Sequence, residues 1–357
     1  MQRYLILLQS EEDYPEQLNS YMFLIMQVID LAKKMNMTFV LPKIEVQPRN
    51  SFLAEKGEKD LGKIILGKTQ VGMDEFFDRD YLNNYIPTVT QDEFLKISNQ
   101  KIEFLACFNN LHKNTIRSFG TNFDIQDSGL LENINQLNII KANVIGITGL
   151  VRGRNGIEIN PNWHNKKTLD YWGIRKSLVH NKKLLREAEL FIKKNLPENY
   201  VAIHWRRSDR NFYGGFESDF PENKDGMKRE LQRLVNLLKK RMNQYGTKKV
   251  FMATDCGTQW HLDFLDKQLD IVRYNPSKNW EKYQHDSIVE QIICSKADHF
   301  IAAPHNYTSC SSFSRWIIDE RILNNLSKHN SYRKVNNNRI FKKISGLRIN
   351  FCSTKRD

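Results

Sequence analysis

Val201-Ala202-Ile203-His204-Trp205-Arg206-Arg207-Ser208-Asp209 is the stretch on which the fold turns. Val201, Ala202 and Ile203 are apolar and follow the polar turn Pro197-Glu198-Asn199, a pattern that predicts a buried strand. The residues after them crowd an imidazole, two guanidiniums and a carboxylate into the turn at that strand's end. Open α/β sheets hold ligands at the carboxyl ends of their strands. Arginine's planar fork of donors matches phosphate oxygens. The competing reading is an exposed basic turn in which Asp209 pairs with a neighbour, because surface charge clusters are common.

Downstream the same pattern recurs. Residues 209–224, rich in Gly, Phe and Asp, predict a flexible loop, and 226–244 a helix. Lys248-Lys249-Val250-Phe251-Met252-Ala253-Thr254-Asp255 is a second buried strand ending in a polar pair. Residues 258–268 read as helix, 271–274 as strand, 286–296 as helix and 299–303 as strand. Ser309-Cys310-Ser311-Ser312-Phe313-Ser314 then opens a helix that runs to Leu326. A helix N-terminus offers N–H groups and the positive end of the helix dipole, so small hydroxyl residues there make an anion site. Plain N-capping is the alternative.

Upstream, residues 3–9 predict a strand and Asp13 to Ser20 a turn. Tyr21 to Met35 predict a helix, and Thr38 to Pro42 the next strand. This βαβ opening implies a parallel sheet. Glu16 and Asn19 fall at the first βα junction, where such folds place ligands; Asn19 or Ser20 serving only as a helix cap is the alternative. Residues 66–160 alternate short apolar runs, 85–89 and 102–106 among them, with Asn/Asp-rich turns, and 166–195 read as helical. Leu196-Pro197-Glu198-Asn199 is the expected boundary, giving domains 1–196 and 197–327 and a basic tail, 328–357.

Bulk properties narrow the function. With 357 residues, 40% hydrophobic and 27% charged, the chain is globular and long enough for two domains. No apolar run reaches the ~18 residues of a membrane span. The net charge is +13, but Arg321 to Asp357 carries ten Lys/Arg against one Asp, or +9 of it. The remainder is near neutral, which argues against a nucleic-acid-binding surface. Five cysteines, scattered and odd in number, give neither a zinc spacing nor a disulfide framework, and Cys256, Cys294 and Cys310 read as inert thiols. Gly57-Glu58-Lys59-Asp60-Leu61-Gly62-Lys63 approaches a phosphate-loop pattern, but Ile64 stands where Ser or Thr belongs and no strand precedes it. No metal-binding signature stands near the strand ends, so a metal-free reaction is expected.

Several motifs occur in a telling order. Ile203-His204-Trp205-Arg206-Arg207-Ser208-Asp209, Val250 to Asp255, and Ser311-Ser312-Phe313-Ser314 with Ile317-Ile318-Asp319-Glu320-Arg321 together resemble the GDP-fucose protein O-fucosyltransferase superfamily. Within it, the chain is most similar to the branch that modifies thrombospondin type 1 repeats. Arg3-Tyr4-Leu5, Pro15-Glu16-Gln17-Leu18-Asn19, Val40-Leu41-Pro42, Glu75-Phe76-Phe77-Asp78 and Asp170-Tyr171-Trp172 with Arg175-Lys176-Ser177 fit that branch. The resemblance spans residues 3–325.

The resemblance implies a GT-B fold, two Rossmann-like doubly wound domains facing a cleft, and an inverting transfer of fucose from GDP-fucose to a Ser/Thr hydroxyl without a metal. By the same resemblance Arg206 grips the β-phosphate, with His204 beside it, and Glu16 is the base that deprotonates the acceptor. Asn19 helps hold donor and acceptor, and Glu290 recognises guanine. Ser311, Ser312 and Phe313 start the diphosphate-binding helix, and Asp255 is counted with the donor-binding residues. The implied partners are a GDP-sugar and an acceptor protein domain, a small disulfide-rich repeat being one candidate, with no nucleic acid and no membrane span. The expected compartment is the endoplasmic reticulum lumen if a leader precedes this sequence, and the cytoplasm otherwise.

The chain departs from the family where Gln17 replaces a glycine, where Pro304 to Tyr307 reads as an insertion, and in lacking the family's leader and paired cysteines. A related transferase acting on a glycan, and a non-catalytic descendant that binds protein or glycan, are the alternative functions.

Overall fold

The computed structural model describes residues 2–8, 18–45, 70–108, 123–132, 134–148, 170–205, 224–256, 258–274, 283–302 and 312–324. The expected phosphate-loop near miss at 57–63, the loop at 209–223, the Pro304–Tyr307 insertion and the tail at 328–357 lie outside them. The described residues up to Lys182 fall in one compact unit and those from Lys183 onward in another.

The first unit is built on a parallel sheet in the order β5-β2-β1-β10-β7-β9. Its strands are β1 (Tyr4–Leu7), β2 (Thr38–Leu41), β5 (Thr88–Thr90), β7 (Phe104–Cys107), β9 (Ser128–Leu130) and β10 (Val144–Thr148). At the centre β1 runs beside β10, with Tyr4 opposite Val144 and Leu7 opposite Ile147. Both are buried throughout, so their sequences are nearly continuous apolar runs, as parallel strands covered on both faces require. Two short pairs, β3 (Lys43–Glu45) with β4 (Gln70–Gly72) and β6 (Lys101–Ile102) with β8 (Asp124–Ile125), are the other strands of this unit among the described residues.

The first helix, α1, runs from Leu18 to Lys34. It therefore begins earlier than the expected Tyr21, and Asn19 and Ser20 lie inside its first turn instead of capping it. Leu18 is buried, and that burial draws the turn into the helix. At its end Asn36 adopts a left-handed φ of 52°, and the Met37 N–H reaches back to the Ala32 carbonyl. This is the C-terminal arrangement in which Asn substitutes for Gly. Next come α2 (Arg79–Asn83) and α3 (Gln91–Ser98). Of the apolar run at 85–89 only Thr88 and Val89 are strand, in β5, because the Asn83 side chain accepts from both the N–H and the hydroxyl of Thr88 and holds 84–87 as a turn.

The expected helix at 166–195 is two helices in the described part, α4 (Tyr171–Ser177) and α5 (Lys182–Asn195). The chain between them pairs with distant residues: His180 bridges to Phe77, and the Asn181 N–H binds the Phe76 carbonyl. The division into units after Lys182 puts α5 with the second unit, ahead of the junction expected at Leu196–Asn199.

The second unit holds a four-stranded parallel sheet in the order β13-β12-β11-β14. The strands are β11 (Val201–Trp205), β12 (Lys249–Thr254), β13 (Asp270–Val272) and β14 (His299–Ile301). Helices α6 (Lys224–Tyr245), α7 (Gln259–Asp266), α8 (Tyr283–Lys296) and α9 (Ser312–Leu323) follow the chain between and after them. From β11 the chain steps outward to β12 and β13, then returns to the other side of β11 for β14. The strand order thus reverses between β11 and β14, the position at which open sheets bind ligands. One core cluster joins Val201, Ile203 and Trp205 of β11 to Leu231, Leu234 and Leu238 of α6.

The C-terminal end of α8 is the most heavily tied point of this unit. Arg321, buried in the last turn of α9, donates to the Ser295 carbonyl at 3.0 Å, the Ala297 carbonyl, and the Asp298 carbonyl at 3.1 Å. The Tyr200 hydroxyl donates to the Ile293 carbonyl at 2.7 Å, and the Tyr200 N–H to Asp298 Oδ2 at 3.0 Å. Carbonyls that the helix leaves unsatisfied are thus met by a cation, which also suits the negative end of the helix dipole. Arg321→Lys keeps the charge but not the fork. It is expected to lower the stability of the folded chain to urea by about 2 kcal/mol, and an unchanged midpoint would remove the clamp from the account.

His299 begins β14 beside this clamp. Its ring stacks on Tyr245 at 4.7 Å, and its buried Nε2 meets no hydrogen-bond partner among the described residues. Burial first, then the positive charges of Arg241 and Arg321, push its pKa from the ordinary 6.5 down to about 4. The unfolded chain therefore binds a proton that the folded chain refuses between those values, and stability falls as the pH drops through that window. The loss approaches about 3 kcal/mol at its lower end. Thermal melts between pH 7 and pH 4 should show this acid sensitivity reduced in His299→Phe; equal slopes in both proteins would assign it to other groups.

Candidate functional site

At the carboxyl end of β11, His204 meets the start of α9. The strand pairs in parallel with β12 along its length, His204 opposite Ala253 and Trp205 opposite Thr254, and with β14 from Val201 to Ile203. Thr254 locks this end. Its hydroxyl donates to the Trp205 carbonyl at 2.6 Å and accepts from the Cys256 N–H at 3.1 Å. Asp255, half-buried, follows at the end of β12, on the strand next to His204.

His204 is buried, and its Nδ1 lies 2.9 Å from the hydroxyl of Ser314, also buried, in the first turn of α9. The Phe313 ring lies over the imidazole, 4.3 Å between centroids with 36° between planes. Strand end and helix start, 110 residues apart in sequence, are therefore joined by side chains. Ser312 is the first residue of α9 and, like Phe313, is half-buried. The structure thus brings together His204, Ser312 and Phe313 at the place where the strand order reverses, with the N–H groups and positive dipole end of a 12-residue helix beside them.

Glu290 lies on α8, which packs against α9, β11 and β12. It is buried, as is Asp286 one turn earlier. Both carboxylates, with Glu187, bear on the Tyr274 hydroxyl, which donates to Glu187. Burial first, then that hydrogen bond and the surrounding negative charge, raise the phenol above its usual range. Burial and the Glu290 charge likewise push the Cys294 thiol well up, so it stays protonated and unreactive.

Other expected residues lie beyond what is described. Glu16, Arg206 and Ser311 are outside the described residues, and Asn19 is described in its backbone alone, in the first turn of α1. Their bracketing elements are clear: Glu16 lies between β1 and α1, and Arg206 directly follows β11. Sequence reasoning missed Ser314 as a partner of His204 and Asp286 as a companion of Glu290. One-turn spacing on α8 was a signal for the second; the first was not readable, since nothing local links residues so far apart. The sulfur of Cys256, expected to be an inert thiol, lies 3.7 Å from His261 Nδ1, with Trp260 and Trp205 around that imidazole. Among the described residues no group of three or more His, Cys, Asp or Glu is arranged to hold a metal, and no helix is long and apolar enough to cross a membrane.

The family model described as GDP-fucose protein O-fucosyltransferase matches residues 18–324. GDP-fucose protein O-fucosyltransferase 2 of Homo sapiens and that of Pan troglodytes are each 29% identical to the chain over 140 residues, 38% of its length. The match spans 29% of the length of these curated relatives. Crystal structures of POFUT1 with GDP and with GDP-fucose align over 89% of this chain and 94% of theirs, with TM-scores of 0.59 and 0.57 at 15% identity. The fold is thus that of the GT-B fucosyltransferases. Fold and family match agree, and the chain belongs to the GDP-fucose protein O-fucosyltransferase family.

Proposed function

We propose that this protein is a glycosyltransferase that moves fucose from GDP-fucose to a Ser/Thr hydroxyl of an acceptor protein, with inversion at the anomeric carbon and without a metal. The observation that carries the reading is the contact of His204 with Phe313 and Ser314, which sets a polar strand end against a helix N-terminus at the switch point of the second sheet. An anionic diphosphate suits that position on electrostatic grounds alone.

In the proposed reaction the acceptor oxygen attacks the anomeric carbon, the bond from that carbon to the β-phosphate oxygen breaks, and GDP leaves with the electron pair. The acceptor proton passes to the Glu16 carboxylate, which must approach from the face opposite the leaving group. Arg206, following β11, takes up the charge that develops on the diphosphate, a stabilisation that counts only as the bond breaks. His204, Ser311, Ser312 and Phe313 bind the diphosphate and sugar, with Asp255 alongside. Glu290 accepts from the N–H groups of guanine, and Asn19 helps hold donor and acceptor. The first unit then serves the acceptor and the second the donor. A small disulfide-rich acceptor domain would place the reaction in the lumen of the endoplasmic reticulum.

Calorimetric titration with GDP, GDP-fucose and UDP tests the donor reading. The GDP compounds should bind and UDP should not, with Arg206→Ala weakening GDP by about tenfold or more. Glu16→Ala should retain GDP affinity while fucose transfer to a protein acceptor drops about 100-fold or more. Transfer to a glycan alone would move the acceptor reading to the related transferase, and a chain that binds no nucleotide would be a binding module instead of an enzyme.

A further inference from the structure

We propose that Ser314 is a positioning residue for the transfer: its hydroxyl donates to Nδ1 of His204, holds the imidazole proton on Nε2, and so fixes which edge of the ring is a hydrogen-bond donor. The inference rests on the donor-site reading above and deepens it by assigning a residue that acts through His204.

Three observations converge on it. The separation of 2.9 Å between Ser314 Oγ and His204 Nδ1 is that of a hydrogen bond, and both side chains are buried, Ser314 completely. The Phe313 ring, 4.3 Å from the imidazole, restricts its rotation. The partners are themselves held: His204 lies in a strand paired on both sides, and Ser314 in the first turn of a helix whose far end is clamped by Arg321. A ring turned over by 180° would present a C–H where Nδ1 now meets the hydroxyl and would forfeit the bond.

Chemistry chooses between the two senses of this hydrogen bond. A neutral imidazole has one donor nitrogen and one acceptor nitrogen. If Nδ1–H donated to Ser314, Nε2 would carry a lone pair, which repels the oxygens of a diphosphate. If the hydroxyl donates to Nδ1, the proton sits on Nε2, and the ring can give a hydrogen bond to an anionic leaving group. Only the second arrangement suits the helix N-terminus next to it, which attracts the same anion. Ser314 thus sets the tautomer of His204 from the far nitrogen, as carboxylates and carbonyls do for other functional histidines, but in the opposite sense, because it donates to Nδ1 where they accept from it.

The test uses Ser314→Ala, Ser314→Thr, His204→Ala and the double variant Ser314→Ala/His204→Ala. Ser314→Ala should lower kcat for fucose transfer by about tenfold or more while GDP affinity changes by no more than about twofold. Ser314→Thr, which keeps the hydroxyl, should recover most of the rate. In the His204→Ala background Ser314→Ala should cost nothing further, because the two act as one unit. Nitrogen-15 NMR of the histidine rings should show His204 protonated on Nε2 in the unsubstituted protein and a mixture of tautomers in Ser314→Ala. A proton on Nδ1 in the unsubstituted protein, or full additivity in the double variant, would overturn the proposal. If the unsubstituted protein binds no GDP, the transferase reading fails on its own, and the ring spectra still decide whether Ser314 sets the tautomer.

Discussion

The central strands of both sheets are buried on both faces, and this constraint decides where chemistry can lie. A strand such as β11 spends its backbone groups on two neighbours and its side chains on two layers of packing. Charged groups cannot be accommodated along it without large desolvation costs. They are displaced to its carboxyl end, where the strand gives way to the loop toward the next helix. His204 is the one polar side chain inside β11, and its buried ring has a hydrogen-bond partner in Ser314. The polarity of Arg206 to Asp209 immediately beyond is the other side of the same constraint.

The second unit solves a related problem at the opposite end of its sheet. Helix α8 must stop against buried surroundings, so its last carbonyls need partners that water cannot supply. Tyr200, at the entry to β11, and Arg321, near the exit of α9, provide them. The result is that α8, β11 and α9 share one knot of hydrogen bonds at one end, and β11 and α9 share the His204–Ser314 contact at the other. Glu290 on α8 and Phe313 on α9 are thereby held relative to a common strand. The charged residues of the motif Ile317-Ile318-Asp319-Glu320-Arg321 serve this internal duty: Asp319 and Arg321 are both buried, and Asp319 pairs with Arg315.

Periodicity made the major elements readable because burial on both faces leaves an unbroken apolar signature. Tyr4–Leu7, Val201–Trp205 and Lys249–Thr254 are strands where the residues predict them. Errors fell where distant contacts overrode local preference. Asn19 and Ser20 favour caps, yet Leu18 is buried and the helix starts before them. Residues 178–181 fit a helical pattern, yet the bridge from His180 to Phe77 breaks it. Short strands such as β9 lie in Asn/Asp-rich surroundings and have too few residues for any period to show. In the site, strand ends and a serine-rich helix start were legible by themselves. Their joining by Ser314 was not, since a hydrogen bond across 110 residues leaves no local trace.

The two sheets repeat one arrangement, and the repetition bears on how a transfer reaction can be divided. In the first, β1 leads outward to β2 and β5 while β10 lies on its other side; in the second, β11 leads to β12 and β13 while β14 lies on its other side. Each sheet therefore has its own switch point beside its first strand; in sequence, Arg206 directly follows β11 and Glu16 lies between β1 and α1. A base and a group that stabilises the departing anion have opposed requirements. The first must stay basic, which a nearby guanidinium would oppose by favouring the carboxylate's charged form, and the second must be strongly positive. In the proposed transfer the base follows the first strand of one sheet and the anion-stabilising group the first strand of the other, so no single strand end has to meet both requirements. Two sheets, each with its own switch point, thus offer that proposed division two separate strand ends.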